Sequence, residues 1–268
     1  MQAERLVAFM PDCINTYYEP FCGGCSVFNE LVNTPDKKVG RYILSDMNAD
    51  VIGFYNRVKD DLEGLVDGYA ALHGRLNSFG DPEERKSYWY TLRDRFNATH
   101  DTVLFALLTR TSFNGLIRYN GKGEFNAPFH FTRPGISPDS LYKILDAFRK
   151  SVTDNDVTFL NRDYAEAVPQ NVRDFVYMDP PYPNMHGSLY LGGIDCDRLF
   201  GYIHGLGCPW QLSFDGKTGL DDRTYPVPED LYKRHIYIRS GKSSFRRLVT
   251  GECDGELDMV ADSLYMNY

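Results

Sequence analysis

The chain has 268 residues, with 29 Lys and Arg against 37 Asp and Glu, for a formal charge of −8. A chain of this length can bury a full core without disulfides or metals, and 43% hydrophobic with 25% charged residues excludes a disordered protein. No run of about 18 apolar residues is present, so no transmembrane helix is expected, and the acidic total argues at first against a phosphate-rich partner.

Residues 5–9 read as the remnant of a helix ended by Pro11. Residues 16–30 follow, with a strand-like front, a Gly23-Gly24 turn and a helix opening at Ser26. Residues 41–46 read as a second strand that ends in Asp46. Residues 48–61 read as a helix with Val51, Ile52, Tyr55 and Val58 on one face. Strand, glycine turn, helix, strand, acid is the opening of a βαβ nucleotide-binding unit.

From about residue 62 the character changes. Helical segments at 84–97 and 101–108 lead into a Gly- and Asn-rich stretch at 112–128. There, residues 120–123 (Asn-Gly-Lys-Gly) resemble a hairpin turn. Strands are expected again at 157–160 and 175–178, then a helix from Leu199 and short strands near Ile236 and Tyr265. We therefore expect an α/β domain from 1–61 and 155–268, interrupted by a mostly helical lobe at 62–154.

Cys13, Cys22, Cys25, Cys196, Cys208 and Cys253 lack the density of a secreted scaffold. Cys22 and Cys25 form a CxxC, but no second ligand pair at zinc spacing accompanies it. Reduced thiols and no metal are expected. Residues 1–11 have no signal-peptide core, which points to the cytoplasm.

The strongest signal is Asp179-Pro-Pro-Tyr182, directly after the apolar strand at 175–178. Catalytic groups of open α/β sheets sit at the carboxyl ends of strands. The exocyclic amine of adenine is a weak nucleophile, because its lone pair is delocalised into the ring. A carboxylate and a carbonyl accepting its two N–H bonds favour a more tetrahedral nitrogen. Asp179 supplies the first acceptor and the Pro180 backbone the second. Tyr182 offers a flat face for a flipped base. The Pro-Pro pair restricts the loop, so little reorganisation is needed. Tyr190, in the loop 183–193, is a further candidate to close over the base.

With the upstream Glu-Pro-Phe-Cys-Gly-Gly at 19–24, this set resembles the Dam-type (D12 class) DNA adenine-N6 methyltransferases. The likeness runs from about Leu6 to Tyr268. It takes in Asp46-Met-Asn48, Ser112-Phe-Asn-Gly-Leu-Ile-Arg118, Gly123-Glu-Phe-Asn-Ala-Pro-Phe129, Asn161-Arg-Asp-Tyr164, Asp179 to Tyr182 and Arg239 to Ser244, in the family's order. The resemblance implies a Rossmann-like sheet that uses S-adenosylmethionine, with an inserted target-recognition lobe bearing a β-hairpin. It implies in-line methyl transfer to N6 of a flipped adenine in double-stranded DNA, with GATC as a guess for the site. It also implies a prokaryotic or phage-encoded enzyme that acts as a monomer.

The same resemblance assigns Glu19, Pro20, Phe21, Gly23 and Gly24 to the methionine part of the cofactor. Asp46 falls to its ribose, Asp163 and Tyr164 to its adenine, and Asp179 also to its ammonium group. An alternative for Asp46 is to cap the following helix. Two other readings of the whole chain stay open: a DNA-binding relative with impaired catalysis, and an amine methyltransferase acting on another base. Its role, in restriction-modification, phage defence or housekeeping, is also open. The family's Gly-Lys pair before the first helix is absent, and a chain extended upstream is expected to bind cofactor more tightly.

The acidic total hides segregation. Residues 109–134 carry four bases and one acid, and residues 231–247 carry six bases and no acid, which leaves −17 on the remainder. A basic stripe is the footprint of phosphate binding. In the first stretch Arg118 is the expected base reader, since Arg addresses guanine O6 and N7 bidentately. Ser112, Asn114, Asn120, Lys122 and Arg133 are expected beside it. In the second, Arg239, Ser243, Arg246 and Arg247 suit phosphate oxygens.

Overall fold

Residues 13–19 bury Ile14 and the adjacent Tyr17 and Tyr18, the pattern of a strand covered on both faces, and begin the central sheet. The computed structural model describes residues 2–182, 193–218, 221–242 and 259–268. In chain order its elements are α1 (Gln2–Ala8), β1 (Cys13–Glu19), α2 (Ser26–Val32), β2 (Lys38–Asp46), α3 (Ala49–Asp60), α4 (Leu62–Asn77), α5 (Pro82–Thr99), α6 (Thr102–Thr111) and α7 (Pro138–Thr153). There follow β3 (Val157–Asn161), β4 (Phe175–Met178), α8 (Cys196–His204), β5 (Trp210–Thr218), β6 (Asp221–Asp222), β7 (Arg234–Lys242) and β8 (Met259–Met266). Two units emerge among the described residues: 2–47, 156–182, 193–218, 221–242 and 259–268 form one, and 48–155 the other.

The first unit holds α1, α2, α8 and one sheet in the order β3-β2-β1-β4-β5-β8-β7, with β6 paired to β5. Strands β3, β2, β1, β4 and β5 run parallel, and β8 is antiparallel to both of its neighbours. This is the expected Rossmann-like arrangement. The strand order reverses between β1 and β4, the place where open α/β sheets put their ligands. All four residues of β4 are buried, as befits a central parallel strand covered on both faces.

Strand β5 has no counterpart in the sequence-based expectations, because Gln211 and Ser213 interrupt its apolar run. Both are buried, and each has a side-chain bond inside the protein. The Gln211 amide donates to the Tyr268 hydroxyl at 2.8 Å, and Ser213 Oγ lies 2.9 Å from the Tyr177 hydroxyl.

The second unit is helical. Its helices begin at strong caps: the Asn48 side chain accepts from the Asp50 and Val51 N–H groups, Asp101 from Val103 and Leu104, and Ser137 from Ser140 just before Pro138. Helices α4 and α7 fill the stretches at 62–77 and 138–153 that carry no expected element. Helix α3 belongs to this unit rather than to the α/β domain. Its Phe54 packs on Phe105 of α6 at 6.1 Å, and its Tyr55 on Phe148 of α7 at 5.3 Å. The boundary therefore falls at Asn48 and not at Leu62.

The expected hairpin is held by two isolated bridges, Ser112–Phe129 and Tyr119–Phe125, without regular strands. No helix among the described residues is long and apolar enough to cross a membrane.

Candidate functional site

In the first unit the carboxyl ends of β1, β2, β3 and β4 lie side by side. They deliver Glu19, Asp46, Asp163 and Asp179 to one edge of the sheet. The β1–α2 turn is tied to the end of β2 by two bonds. Cys22 N–H donates to the Ser45 carbonyl at 2.9 Å, and Gly23 N–H donates to Asp46 Oδ2 at 3.0 Å. Gly23 has φ +41°, which favours glycine. A Cβ placed on Gly24 would meet nothing within 4 Å, so the turn leaves open room over its backbone. Asp46 does not cap α3, since Asn48 does so. Behind it, the Asn161 side-chain amide donates to the Asp46 and Met47 carbonyls at 2.9 and 3.0 Å, stapling β2 to β3.

Glu19 stands behind the turn rather than open to it. It is 3% exposed, accepts the Tyr17 hydroxyl at 2.8 Å, and also accepts the Phe28 N–H in the first turn of α2. Burial pushes its carboxyl up to about 8. Phe21 leaves the same turn and stacks on Tyr164 at 5.1 Å. Asp163 is held in a two-bond ion pair with Arg198, at 2.8 and 2.9 Å, and caps the short turn at 164–166. Its carboxylate thus already serves the fold, a commitment that spacing in the sequence does not reveal.

Asp179 follows β4 with an open face toward solvent. Protein packed around it, and then the Asp262 charge, push its carboxyl up to about 7, and the Tyr182 hydroxyl works in the other direction. The Tyr182 hydroxyl lies 3.4 Å from Asp179 Oδ1, and its half-buried ring leans on Phe214 at 6.3 Å. Pro180 is buried. Asp262 on β8 and the exposed Met47, 59% accessible, belong to this edge without having been anticipated. Met47 stood in the quoted Asp-Met-Asn run, whereas Asp262 is brought in only by β8 pairing with β5. Among the described residues no group of three or more His, Cys, Asp or Glu is gathered as a metal site.

The second unit carries the basic hairpin. Asn114 is exposed with φ +55° beside Phe113, which is 40% exposed and stacked on His130. Lys122 and Arg133 are exposed. Two expectations are corrected here. Ser112 is fully buried and its hydroxyl donates to the Leu116 carbonyl, so it holds the turn and cannot meet a ligand. Asn120 is absorbed by its own turn: its Oδ1 accepts from the Lys122 and Glu124 N–H groups, and its amide donates to Glu124 Oε2 at 2.8 Å. Arg118 is half-buried and bonded within the hairpin to Asn126.

Arg239 is exposed on β7, at the sheet margin away from the four acids. Tyr190, Ser243, Arg246 and Arg247 lie outside the described residues.

The profile of the D12 class N6 adenine-specific DNA methyltransferases matches residues 3–191. The Type II methyltransferase M1.LlaDCHI of Lactococcus lactis subsp. cremoris is 31% identical over 239 residues, which is 84% of this chain and 78% of that one. The Type II methyltransferase M.MjaIII of Methanocaldococcus jannaschii is 35% identical over 179 residues, 63% of this chain and 59% of its own. The DNA adenine methylase of Haemophilus influenzae is 32% identical over 177 residues, 64% of this chain and 56% of its own. The chain thus spans less than two thirds of the latter two relatives.

Proposed function

The chain belongs to the D12 class of N6 adenine-specific DNA methyltransferases, and from that premise we propose that it transfers a methyl group from S-adenosylmethionine to N6 of a flipped adenine in double-stranded DNA. The observation that carries the reading is the open-faced Asp179 on a buried Pro180, directly after the central strand β4 and next to the β1–α2 turn.

S-adenosylmethionine, when bound, supplies an electrophilic methyl group on a sulfonium sulfur. The open room over Gly24 and the half-exposed Asp46 fit such a ligand. The turn at 21–24 would hold its methionine part, Asp46 its ribose hydroxyls, and Met47 with the Asp163–Tyr164 corner its adenine. Glu19 supports the turn from behind.

On the acceptor side, ionised Asp179 takes one N–H of the adenine amine and the Pro180 carbonyl takes the other. This draws the lone pair out of ring conjugation and offsets the positive charge that grows on nitrogen. Tyr182 steadies Asp179 through its hydroxyl and offers its ring to the base.

In the second unit, Arg118 is the proposed base reader. Asn114, Lys122 and Arg133 are proposed to contact DNA beside it, and Arg239 to meet phosphate. GATC is the sequence to try first. Relatives named Type II methyltransferases support a restriction-modification role. The test is transfer of labelled methyl groups to unmethylated duplex DNA, with nucleoside mass spectrometry of the product. N6-methyladenine with the natural chain and none with Asp179→Ala is expected. Undiminished turnover in Asp179→Ala refutes the catalytic assignment.

A further inference from the structure

We propose that Asn126 is a positioning residue that sets the orientation in which Arg118 meets a base; the inference rests on Arg118 being the base reader. Arg118 and Asn126 face each other across the hairpin and are joined by three bonds. Arg118 Nε–H donates to Asn126 Oδ1 at 2.8 Å, Arg118 Nη2–H donates to the Asn126 carbonyl at 2.8 Å, and Asn126 N–H returns to the Arg118 carbonyl at 2.8 Å. The side edge of the guanidinium is therefore occupied by one residue. A guanidinium has five N–H donors in a planar fork. The end-on pair, one hydrogen on each Nη, remains, and among the described residues nothing pairs with Nη1. That remaining pair has the spacing a guanine O6/N7 edge demands.

The holder is itself fixed. Phe125 and Ala127, which flank Asn126, are buried. Asn97 of α5 brackets Phe125, accepting its N–H at 2.8 Å and donating to its carbonyl at 3.2 Å. On the opposite arm, the Tyr119 hydroxyl donates to Asp50 Oδ2 at 2.6 Å, and Asp50 Oδ1 lies 2.9 Å from His100 Nδ1. Both residues next to the reader pair are thus anchored to the helical unit. A flexible side chain held in its working geometry before DNA arrives loses less freedom on binding. The amide also suits the task better than an acid. A carboxylate would make the same bond to Nε but would cancel the positive charge that attracts DNA.

The experiment uses the full chain, S-adenosylmethionine and an unmethylated plasmid library carrying randomised hexamers, read by long-read detection of methylated adenines. Arg118→Ala identifies the position that Arg118 reads. Asn126→Ala is expected to relax preference at that same position by about tenfold, the low end of what a bidentate base contact is worth, and to leave the other positions within about twofold. Asn126→Asp is expected to keep the preference while methylation falls evenly over all sequences. The double variant is expected to be no more relaxed there than Arg118→Ala alone.

If Asn126→Ala keeps the preference that Arg118→Ala loses, the inference fails and the reading of Arg118 stands. If Asn126→Ala relaxes every position alike, or Asn126→Asp loses the preference, the role is merely structural and the inference fails. If Arg118→Ala changes no position, the reading of Arg118 fails and takes the inference with it. Should Asn126→Ala not fold, the Asn126→Asp profile decides.

Discussion

Glu19→Gln is the sharpest probe of how the β1–α2 turn is supported. The Glu19 carboxyl is buried at 3% exposure, and burial, with a smaller push from the Asp179 charge, raises it from 4.5 to about 8. The Tyr17 hydroxyl and the Phe28 N–H work in the other direction and are outweighed. The unfolded chain ionises near 4.5, while the folded chain keeps its proton to about 8. Between those values the folded state binds more protons. The contribution of Glu19 to stability is therefore complete at low pH, falls as pH rises through this window, and levels off above about 8. The separation corresponds to about 3–5 kcal/mol. Gln has nearly the same shape, still offers an oxygen, and does not titrate.

The stability of Glu19→Gln relative to the natural chain should then climb by about 3–5 kcal/mol between pH 5 and pH 8. Urea titrations followed by circular dichroism at several pH values measure this. His73 and His235, both held low chiefly by burial, give slopes of the opposite sign in both chains and cancel in the difference. A difference that stays constant from pH 5 to pH 8 refutes the reasoning.

Gly216→Ala places a Cβ against the Ala261 carbonyl, at the register shift where β5 meets β8, so a loss of about 3 kcal/mol or more is expected in thermal melts, with reduced soluble yield. Trp89→Phe removes the buried 2.7 Å bond from the indole N–H to Thr111 Oγ1 and leaves a small void; about 1–3 kcal/mol is expected in urea, and an unchanged midpoint would show that the void closes. Lys122→Ala, at the exposed hairpin tip, should weaken DNA binding evenly over sequences and lower the salt slope by about 1, and an unchanged slope would remove its phosphate contact.

Local chemistry made much of the first unit legible. Tyr17 and Tyr18, Phe175 to Met178 and the acids that end each run announce parallel strands with acids at their carboxyl ends. Ser137-Pro138 and the apolar residues that follow carried the signal of α7 as well, since a Ser cap and a Pro at the first helical position are a strong start. Strand β5 was harder, because its buried Gln211 and Ser213 look like a solvent face until the Gln211 amide is seen to donate to Tyr268 and the Ser213 hydroxyl to meet Tyr177. The basic hairpin was legible as a turn, but not the division of labour inside it. Ser112, Asn114, Asn120 and Asn126 are similar small polar residues, and only Asn114 turns out to be open to solvent among the three asparagines and the serine.

By itself the sequence determined the class of chemistry. Asp179-Pro-Pro-Tyr182 after an apolar strand, and a Gly-Gly turn followed by Asp46, depend on neighbours along the chain, and local geometry suffices to read them. It also determined the segregation of charge within a total of −8. Only the tertiary structure decided which polar groups face outward. It turned Glu19 behind the turn, paired Asp163 with Arg198, drew Asp262 toward Asp179 and moved α3 into the helical unit. Arg198, Asp262 and the aromatic partners of α3 are distant in sequence, and the cost of burying charge or leaving apolar faces open selects such contacts without making them local.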